Sequence, residues 1–305
     1  MEFTQMKSQL SPNKKHRLRR PEWLKIALKT NEEFQQVNHL VSRLSLHTVC
    51  QEARCPNIYE CWGQGTATFM ILGDVCTRRC GFCSVTKGKP GPPDQEEPES
   101  IAEAVEKLNL DYAVLTSVDR DDLLDRGAGH FARTIRAINE RVPSCKIEVL
   151  IPDFNGMREL LEIVLRAHPE VLAHNVETVK HLYRRVRPVA VYGQSLKILE
   201  ESVRYREETS TRMSIKSGIM VGLGETMDQI LETLKDIAYT GCDIMTIGQY
   251  LSPKKRALPV ERFYTPAEFA FLRKEGLKYG FKHVESGPLV RSSYHAKHQE
   301  EKLRD

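Results

Sequence analysis

The chain has 305 residues and a formal net charge of +4 at pH 7, with 40% hydrophobic and 28% charged residues. This is the composition of an ordinary soluble globular protein, long enough for one large α/β domain or two smaller ones. So small a charge gives no argument for nucleic acid, although it would favour an acidic protein partner. No apolar run approaches the roughly 18 residues of a membrane span, and the N-terminus has no apolar signal core. We therefore expect a cytoplasmic protein with neither membrane nor nucleic-acid partners.

Short apolar runs alternate along the chain with amphipathic segments. The runs predict strands at 68–72, 113–116, 147–151, 171–173, 217–221 and 244–247. Helical patterns lie between them at 100–108, which opens on a serine cap, 130–140, 157–167, 179–185 with 196–206, and 226–238. Six βα units in series indicate parallel strands joined by right-handed crossovers.

Six units are too few for a closed eight-stranded barrel. The predicted fold class is therefore α/β, a partial (β/α)6 TIM-like barrel with N- and C-terminal extensions. We place the barrel at 63–280, between an N-terminal extension at 1–62 and a C-terminal extension at 281–305. Residues 1–20 are rich in Lys and Arg and are expected to be flexible.

Six of the eight cysteines form two triplets. The first is Cys50, Cys55 and Cys61, and the second is Cys76, Cys80 and Cys83. In a reducing compartment such close spacing indicates metal rather than disulfides. A structural zinc site and an electron-transfer 4Fe-4S cluster each want four protein ligands, so three thiolates leave one iron open to a substrate or cofactor. The alternatives are a zinc ribbon or a two-cluster ferredoxin, although ferredoxin spacing supplies a fourth cysteine.

The remaining two cysteines, Cys145 and Cys242, lie outside both triplets. We expect them to be small buried hydrophobic residues.

The C-x3-C-x2-C spacing of the second triplet, with Phe82 just before its last cysteine, resembles the radical S-adenosylmethionine (radical SAM) superfamily. There the open iron binds the amino and carboxylate groups of SAM. Further segments resemble the lipoyl synthase family over nearly the whole chain from about Arg20. They are C-Q-E-A-R-C-P-N-I-Y-E-C-W at 50–62, L-T-S-V-D-R-D-D at 115–122, H-N-V-E-T at 174–178, G-L-G-E at 222–225 and R-S-S-Y-H-A at 291–296.

The resemblance implies two 4Fe-4S clusters with different tasks. Cys76, Cys80 and Cys83 would hold the cluster that cleaves SAM, and the first triplet would hold an auxiliary cluster that serves as the sulfur source. In the family the fourth auxiliary ligand is a serine of R-S-S-Y-H-A. We place it on Ser293, with Ser292 as the alternative. A hydroxyl oxygen is a harder ligand than thiolate, which could make that corner easy to release.

SAM contacts are expected on loops after the strands, where barrel folds gather their reactive groups. Asn175 and Glu177 could equally be helix caps, and a glycine after a strand often serves only to form a turn. The candidate SAM-binding residues are Thr116, Ser117, Asn175, Glu177, Gly222, Gly224 and Glu225.

The activity implied is insertion of two sulfur atoms, at C6 and then C8, into an octanoyl chain on a lysine of a lipoyl carrier domain. Such carriers belong to 2-oxoacid dehydrogenase complexes or are the glycine cleavage H protein. A flavodoxin or ferredoxin would supply electrons, and an iron-sulfur cluster carrier would rebuild the auxiliary cluster. The alternatives are another radical SAM sulfur-inserting enzyme of the methylthiotransferase type, or a non-enzymatic iron-sulfur electron carrier.

Overall fold

A main sheet of eight strands organises the chain in the computed structural model, which describes residues 19–25, 30–63, 67–254 and 256–303. Most of the basic segment 1–20 therefore lies outside the described residues, and its predicted flexibility is not assessed. The strands of the described residues are, in chain order, β1 (His47–Thr48), β2 (Thr68–Ile71), β3 (Val75–Cys76), β4 (Thr86–Lys87), β5 (Tyr112–Ser117), β6 (Lys146–Leu150), β7 (Val171–Ala173), β8 (Ser214–Val221), β9 (Ile244–Gln249) and β10 (His283–Gly287).

Helices cover the sheet and also lie in the described parts of the N- and C-terminal segments. In chain order the described α-helices are α1 (Glu32–Arg43), α2 (Val49–Glu52), α3 (Ile58–Gly63), α4 (Glu97–Lys107), α5 (Ala128–Arg141), α6 (Arg158–Leu165), α7 (Tyr183–Val186), α8 (Tyr192–Thr209), α9 (Met227–Tyr239), α10 (Pro266–Tyr279) and α11 (Ala296–Glu301). Short 3-10 turns occur at Glu22–Leu24, Phe154–Gly156 and Lys180–Leu182.

The parallel strands follow one another across the sheet in chain order. Strand β2 pairs with β5, and β6, β7, β8, β9 and β10 are added in sequence. Strand β1 pairs antiparallel with β2, so β1 and β10 are the two edges. A parallel sheet wound in one direction with free edges is an open barrel, which confirms the predicted fold class.

Apolar periodicity explains why the helices lie where they do. Helix α5 buries Phe131, Ile135 and Ile138, which recur on one face at intervals of four and three residues. Helix α9 begins at a capping box in which the Thr226 side chain accepts from the backbone of Gln229. The buried strands are equally apolar, since five of the six residues of β5 are buried.

Several details differ from the sequence prediction. The serine cap expected at position 100 is wrong, because α4 begins at Glu97 with Pro98 in its first turn, a position that suits proline. Strand β10 and helix α10 were not expected. The strand reads H-V-E-S-G, with a single large apolar residue, and so lacks the apolar run that marks the others. It nevertheless pairs with β9 and lies in the segment that we placed in the C-terminal extension.

Among the described residues, no helix combines the length and the apolar character needed to cross a membrane.

Candidate functional site

The second triplet lies on a loop at the carboxyl ends of the parallel strands. Cys76 ends β3, while Cys80 and Cys83 lie between β3 and β4, shortly after β2. All three line a cavity of about 140 Å³, which we call the rim cavity. The backbone N–H groups of Arg78 and Asp119 donate to Cys76 Sγ at 3.4 and 3.3 Å. The loop thus presents three thiols to one space, with one sulfur already accepting backbone hydrogen bonds.

A buried guanidinium fixes this loop to the barrel. The Arg78 side chain is 3% exposed and donates to both carboxylate oxygens of Asp121 at 2.8 and 2.9 Å. It also donates to the fully buried Asp153 at 2.7 Å and to Asn155 Oδ1 at 2.8 Å. Because Asp121 follows β5 and Asp153 follows β6, one side chain joins the cysteine loop to two strand ends.

The thiols of this loop are weak acids in the folded chain. Burial, with the nearby Asp119 carboxylate, raises the pKa of Cys76 to about 11. Burial likewise raises the pKa of Cys80 to about 12, although the Arg187 charge opposes it. Nucleophilic cysteines need the opposite, a depressed pKa. Thiols of this kind become thiolates when a metal binds them, because the metal charge displaces the proton.

Four of the seven candidate SAM-binding residues line the rim cavity with the cysteines: Thr116, Ser117, Asn175 and Glu177. Two buried polar atoms there, Ser117 Oγ and Asn175 Oδ1, have no hydrogen-bond partner among the described residues. Buried polar groups are normally satisfied, so their presence indicates a polar ligand. These residues therefore fit a cofactor with amino, carboxylate and hydroxyl groups.

Glu177 has a strained backbone. Its φ is +72°, in the left-handed region that non-glycine residues rarely adopt. The peptide is held against β8, because Glu177 N donates to Gly218 O and Met220 N donates to Glu177 O, both at 2.9 Å. Burial raises the pKa of the Glu177 carboxyl. Strain of this kind costs on the order of 1–3 kcal/mol and clusters at functional sites.

The remaining three candidates, Gly222, Gly224 and Glu225, lie on the loop after β8 and line neither the rim cavity nor the larger cavity described below. The Glu225 carboxylate instead accepts hydrogen bonds from the backbone N–H groups of Gly222 and, at 2.9 Å, of Leu223. Both glycines have a positive φ, which an L side chain would strain. Here these residues shape a loop, and their contact with SAM stays a prediction.

Sequence reasoning missed several charged residues of the rim cavity, among them Asp119 and Arg187. Arg187 Nη1 donates to Asn175 O at 3.0 Å and to the Tyr183 hydroxyl at 2.9 Å, while its Nε has no partner among the described residues. Burial raises the pKa of Asp119 to about 6, although Arg78 lies 3.2 Å away. Arg187 ends the run R-R-V-R, a pattern of charges that is typical of a solvent-exposed helix face. Its burial became visible only in the fold.

The first triplet lies on the N-terminal extension, beside the same barrel. Cys50 is on α2, Cys61 is on α3, and Cys55 is in the loop that joins them. A second cavity of about 460 Å³, which we call the barrel cavity, is lined by Cys50 and Cys55 and also by Cys83 of the second triplet. Its lining is mainly apolar. Cysteines of both triplets thus line one cavity, Cys50 and Cys55 from the first and Cys83 from the second.

The thiols of the first triplet influence one another. Burial, followed by the charge of Cys55, raises the pKa of Cys50 to about 11. Burial, followed by the charges of Cys50 and Cys55, raises the pKa of Cys61 to about 12. Within the part of the chain that the structure describes, no three His, Cys, Asp or Glu side chains are grouped as ligands of a single metal ion.

Ser293 comes close to the first triplet. Both Ser292 and Ser293 line the barrel cavity, but it is the Ser293 hydroxyl that accepts a hydrogen bond from Thr68 Oγ1 at 2.9 Å. Thr68 also hydrogen-bonds to Cys50 through its backbone, which lowers the pKa of that thiol against the effect of burial. Thr68 thus contacts both Ser293, which lies 225 residues away in sequence, and Cys50 of the first triplet.

The fold and the three-cysteine loop define a class of protein. The sequence model of the radical SAM superfamily matches residues 70–237. Among solved structures, methylornithine synthase (PylB) superposes with a TM-score of 0.52 and 17% identity, over 84% of this chain and 83% of that one. SuiB of Streptococcus suis bound to S-adenosylmethionine gives a TM-score of 0.54 and 12% identity, over 76% and 55%. These two likenesses show the fold alone.

Closer relatives give the family. The N-terminal domain of lipoyl synthase matches residues 1–55. The lipoyl synthase of Rubrobacter xylanophilus is 54% identical over 93% of this chain and 88% of its own length. That of Symbiobacterium thermophilum is 56% identical over 92% and 87%. The chain therefore belongs to the lipoyl synthase family of radical SAM enzymes.

Membership of this family confirms the predicted cofactors, which are SAM, a radical SAM 4Fe-4S cluster and an auxiliary 4Fe-4S cluster. The chain is an enzyme of the sulfur-inserting radical SAM class that acts on octanoylated lipoyl carriers. The methylthiotransferase and electron-carrier alternatives lose their support, because the relatives that match over nine-tenths of this chain are lipoyl synthases.

Proposed function

We propose that the two triplets divide the lipoyl synthase reaction between them. Cys76, Cys80 and Cys83 hold the cluster that binds SAM at the rim cavity. Cys50, Cys55 and Cys61, with Ser293, hold the auxiliary cluster at the barrel cavity. The observation that carries this proposal is that Cys83 and Cys50 line one cavity, so a substrate carbon inside it reaches both centres.

When bound, SAM and the two clusters supply a 5′-deoxyadenosyl radical, which removes hydrogen from an unactivated carbon, and the sulfur that replaces that hydrogen. The chain's own residues orient and protect these groups. Asn175, Glu177 and Ser117 offer amide, carboxylate and hydroxyl partners to SAM, with Thr116 beside them. Arg187 places a buried positive charge at the same cavity, where a carboxylate would bind.

The barrel cavity fits an extended alkyl chain. Met70, Ile219 and Met220 line it with other apolar groups, and its lining includes residues of β2, β5, β8 and β9. An octanoyl chain gains by leaving water for such a lining. The same walls exclude water and other hydrogen donors from the target carbons, which the radical chemistry requires.

The substrate we propose is an octanoyl-lysine on the lipoyl domain of a 2-oxoacid dehydrogenase complex or on the glycine cleavage H protein. Sulfur enters at C6 and then at C8. A flavodoxin or ferredoxin would supply electrons, an iron-sulfur carrier would rebuild the auxiliary cluster, and the reaction would run in the cytoplasm. The functional division follows the segments 1–62, 63–280 and 281–305, with β10 contributed to the barrel by the last.

The test of this proposal is anaerobic reconstitution of the full chain with two single-cysteine variants. Wild type should bind about eight irons, cleave SAM, and add two sulfurs to an octanoyl-lysyl peptide. Cys80→Ala should lose the SAM-binding cluster and make no 5′-deoxyadenosine under strong reductant. Cys55→Ala should still cleave SAM but add no sulfur to the peptide. Substantial SAM cleavage by Cys80→Ala, or lipoyl product from Cys55→Ala at wild-type yield, would refute the assignment of that triplet.

A further inference from the structure

We propose that Glu60, Tyr294 and His295 are positioning residues that hold Ser293 beside the first cysteine triplet when the auxiliary cluster is absent, so that the cluster can be rebuilt. We call these three residues the Glu60 clamp. This inference rests on the proposed function, because it takes Ser293 and Cys61 as ligands of the auxiliary cluster.

The contacts of the clamp are specific. The Tyr294 hydroxyl donates to both carboxylate oxygens of Glu60, at 3.1 and 3.2 Å. His295 Nε2 lies 3.1 Å from Glu60 Oε1. The Tyr294 and His295 rings stack with centroids 3.8 Å apart, so both present their polar edges to one carboxylate. A single acidic side chain is thus held by two neighbouring residues of the C-terminal segment.

The position of these residues along the chain gives the clamp its role. Glu60 lies on α3 immediately before Cys61, and Tyr294 immediately follows Ser293. The two partners are 234 residues apart in sequence. The clamp therefore joins the two pieces of chain that supply the proposed auxiliary ligands, at the residues next to those ligands.

The serine turn is tied on its other side as well. Tyr294 N donates to Arg291 O at 2.9 Å, which closes a turn over Ser292 and Ser293. Gln299 of α11 donates from its side chain to Tyr294 O at 2.7 Å. Outside the clamp, Asn57 Nδ2 donates to Leu289 O at 2.7 Å and joins the same two segments.

His295 shows that this arrangement is imposed on the chain. Its φ is +53°, in the left-handed region, immediately before α11 begins. A non-glycine residue keeps such a conformation only when its surroundings hold it there. The stacked ring, the contact with Glu60 and the bond from Gln299 N to His295 O at 3.0 Å are those surroundings.

The clamp contributes little to global stability, because the side chains of His295 and Glu60 are 38% and 43% exposed. Exposed polar contacts of this kind add little to stability. The Asn57 link and the barrel sheet persist without it, so variants of the clamp should fold. What these variants lose is the position of Ser293 relative to the first triplet. Each missing hydrogen bond should make that position about fivefold less probable.

The need for such a device follows from the proposed use of the auxiliary cluster. A cluster that gives up its sulfur leaves the first triplet and Ser293 without the iron that joined them, so only contacts within the protein then keep them together. Ligands that are already held in place lower the entropic cost of assembling the cluster again. The clamp provides that arrangement without being a ligand itself.

The experiment uses the full chain carrying Cys80→Ala, in which only the auxiliary cluster should assemble. Into it we introduce Glu60→Gln, Tyr294→Phe or, as a matched control, Glu106→Gln. Glu106 is a comparably exposed carboxylate of α4 that accepts from Arg141 of α5 at 2.7 Å, and it lines neither the rim cavity nor the barrel cavity. The readouts are the rate of iron and sulfide incorporation, the resistance of the cluster to a chelator, and the Tm of the cluster-free protein.

Glu60→Gln and Tyr294→Phe should each incorporate iron about fivefold more slowly than the parent at unchanged Tm, and the control should match the parent. Equal rates in all four proteins would overturn the clamp while leaving the proposed function intact. A fall in Tm parallel to the fall in rate would also overturn it, since the role would then be structural. A parent that binds no auxiliary cluster would overturn the ligand assignment, and the clamp with it.

Discussion

At the scale of single residues, all six triplet cysteines are held as neutral thiols when no metal is bound. Burial is the first cause of the raised pKa in every case. The protein thus leaves the metal to deprotonate its own ligands. Ser293 differs in kind, because a hydroxyl is a poorer match for iron than thiolate.

This difference predicts the behaviour of Ser293→Cys. The auxiliary cluster should assemble with wild-type iron content, because thiolate is the better ligand, yet sulfur insertion should slow markedly because the added thiolate is slower to release. Iron content and product mass on an octanoyl-lysyl peptide measure the two effects.

Ser292→Ala is the control for that variant, and it should be milder if Ser293 is the ligand. Wild-type lipoyl yield from Ser293→Cys would show that release at this corner is not part of the mechanism. Loss of the cluster in Ser292→Ala alone would move the ligand one residue back.

Arg78 gives a second prediction at the residue scale. Arg78→Met leaves Asp153, whose side chain is 0% exposed, without its cation. Burial acts to raise the pKa of Asp153, but the Arg78 hydrogen bond outweighs it and lowers that pKa to about 2. Losing one partner of such a buried pair costs about 3–5 kcal/mol. Urea unfolding of the cluster-free protein measures this loss, and iron content should fall because the cysteine loop is no longer fixed.

Arg79→Met is the matched control, since this neighbouring arginine is exposed. The free energy of unfolding of this variant should lie within about 0.5 kcal/mol of the wild-type value. Similar losses in both variants would show that the Arg78 network is not what holds the loop.

At the scale of secondary-structure elements, the end of β9 approaches the segment that carries Ser293. A Cβ added at Gly248 would overlap the carbonyl oxygen of Val290 and lie 3.4 Å from Arg291 Nη1. Backbone oxygen cannot move aside as a flexible side chain can. Glycine is therefore required here by close approach, not by its dihedral angles.

Gly248→Ala should accordingly displace residues 290–293 and weaken the auxiliary site, while the rim cavity keeps its cysteines. We expect SAM cleavage to persist and auxiliary iron to fall. Gly193→Ala is the control, because Gly193 is exposed on α8 and an added Cβ meets nothing within 4 Å. It should be neutral or stabilising by up to about 1 kcal/mol. Equal auxiliary iron in both variants would contradict the close-approach argument.

Sequence patterns predicted these elements unevenly. Strand β7 was predicted with its observed ends, because an apolar run with breakers on both sides marks a buried parallel strand. Strand β10 was missed, since an edge strand with polar residues carries no such run. Helix α10 buries Phe269, Leu272 and Gly276, and its weak apolar pattern gave no signal.

At the scale of the whole molecule, acid stability depends on the buried His174 at the barrel end. Its Nδ1 donates to Ile151 O at 2.9 Å, and its Nε2 accepts from Ser195 Oγ at 3.0 Å. Burial, followed by the charge of Arg187, lowers the pKa of His174 to about 4. The folded chain therefore binds fewer protons here than the unfolded chain between about pH 6.5 and pH 4. This contribution is complete above pH 6.5 and is lost as the pH falls towards 4.

We predict that the cluster-free protein loses on the order of 2 kcal/mol from this group between pH 7 and pH 5. Asp119 acts in the opposite direction, because its pKa is raised to about 6, so the total slope is smaller. Urea unfolding of His174→Gln and wild type at both pH values measures the contribution of the histidine. The variant should lack the part of the pH-dependent loss that comes from His174. His181→Gln, at an exposed position, should keep the wild-type dependence. Identical slopes in wild type and His174→Gln would contradict the assignment.

By itself the sequence determined the open barrel, the two cysteine triplets and the family, because local patterns carry each of them. Alternating apolar runs and amphipathic segments predict the barrel, cysteine spacing defines the triplets, and short motifs along the chain indicate the family. Only the tertiary structure decided which of the predicted residues share a space. It placed Asn175 and Glu177 at the rim cavity, set the loop of Glu225 apart from it, and added Arg187. It also brought Ser293 to Thr68 across 225 residues. Contacts between distant segments depend on how every intervening element packs, and no local pattern of residues records that packing.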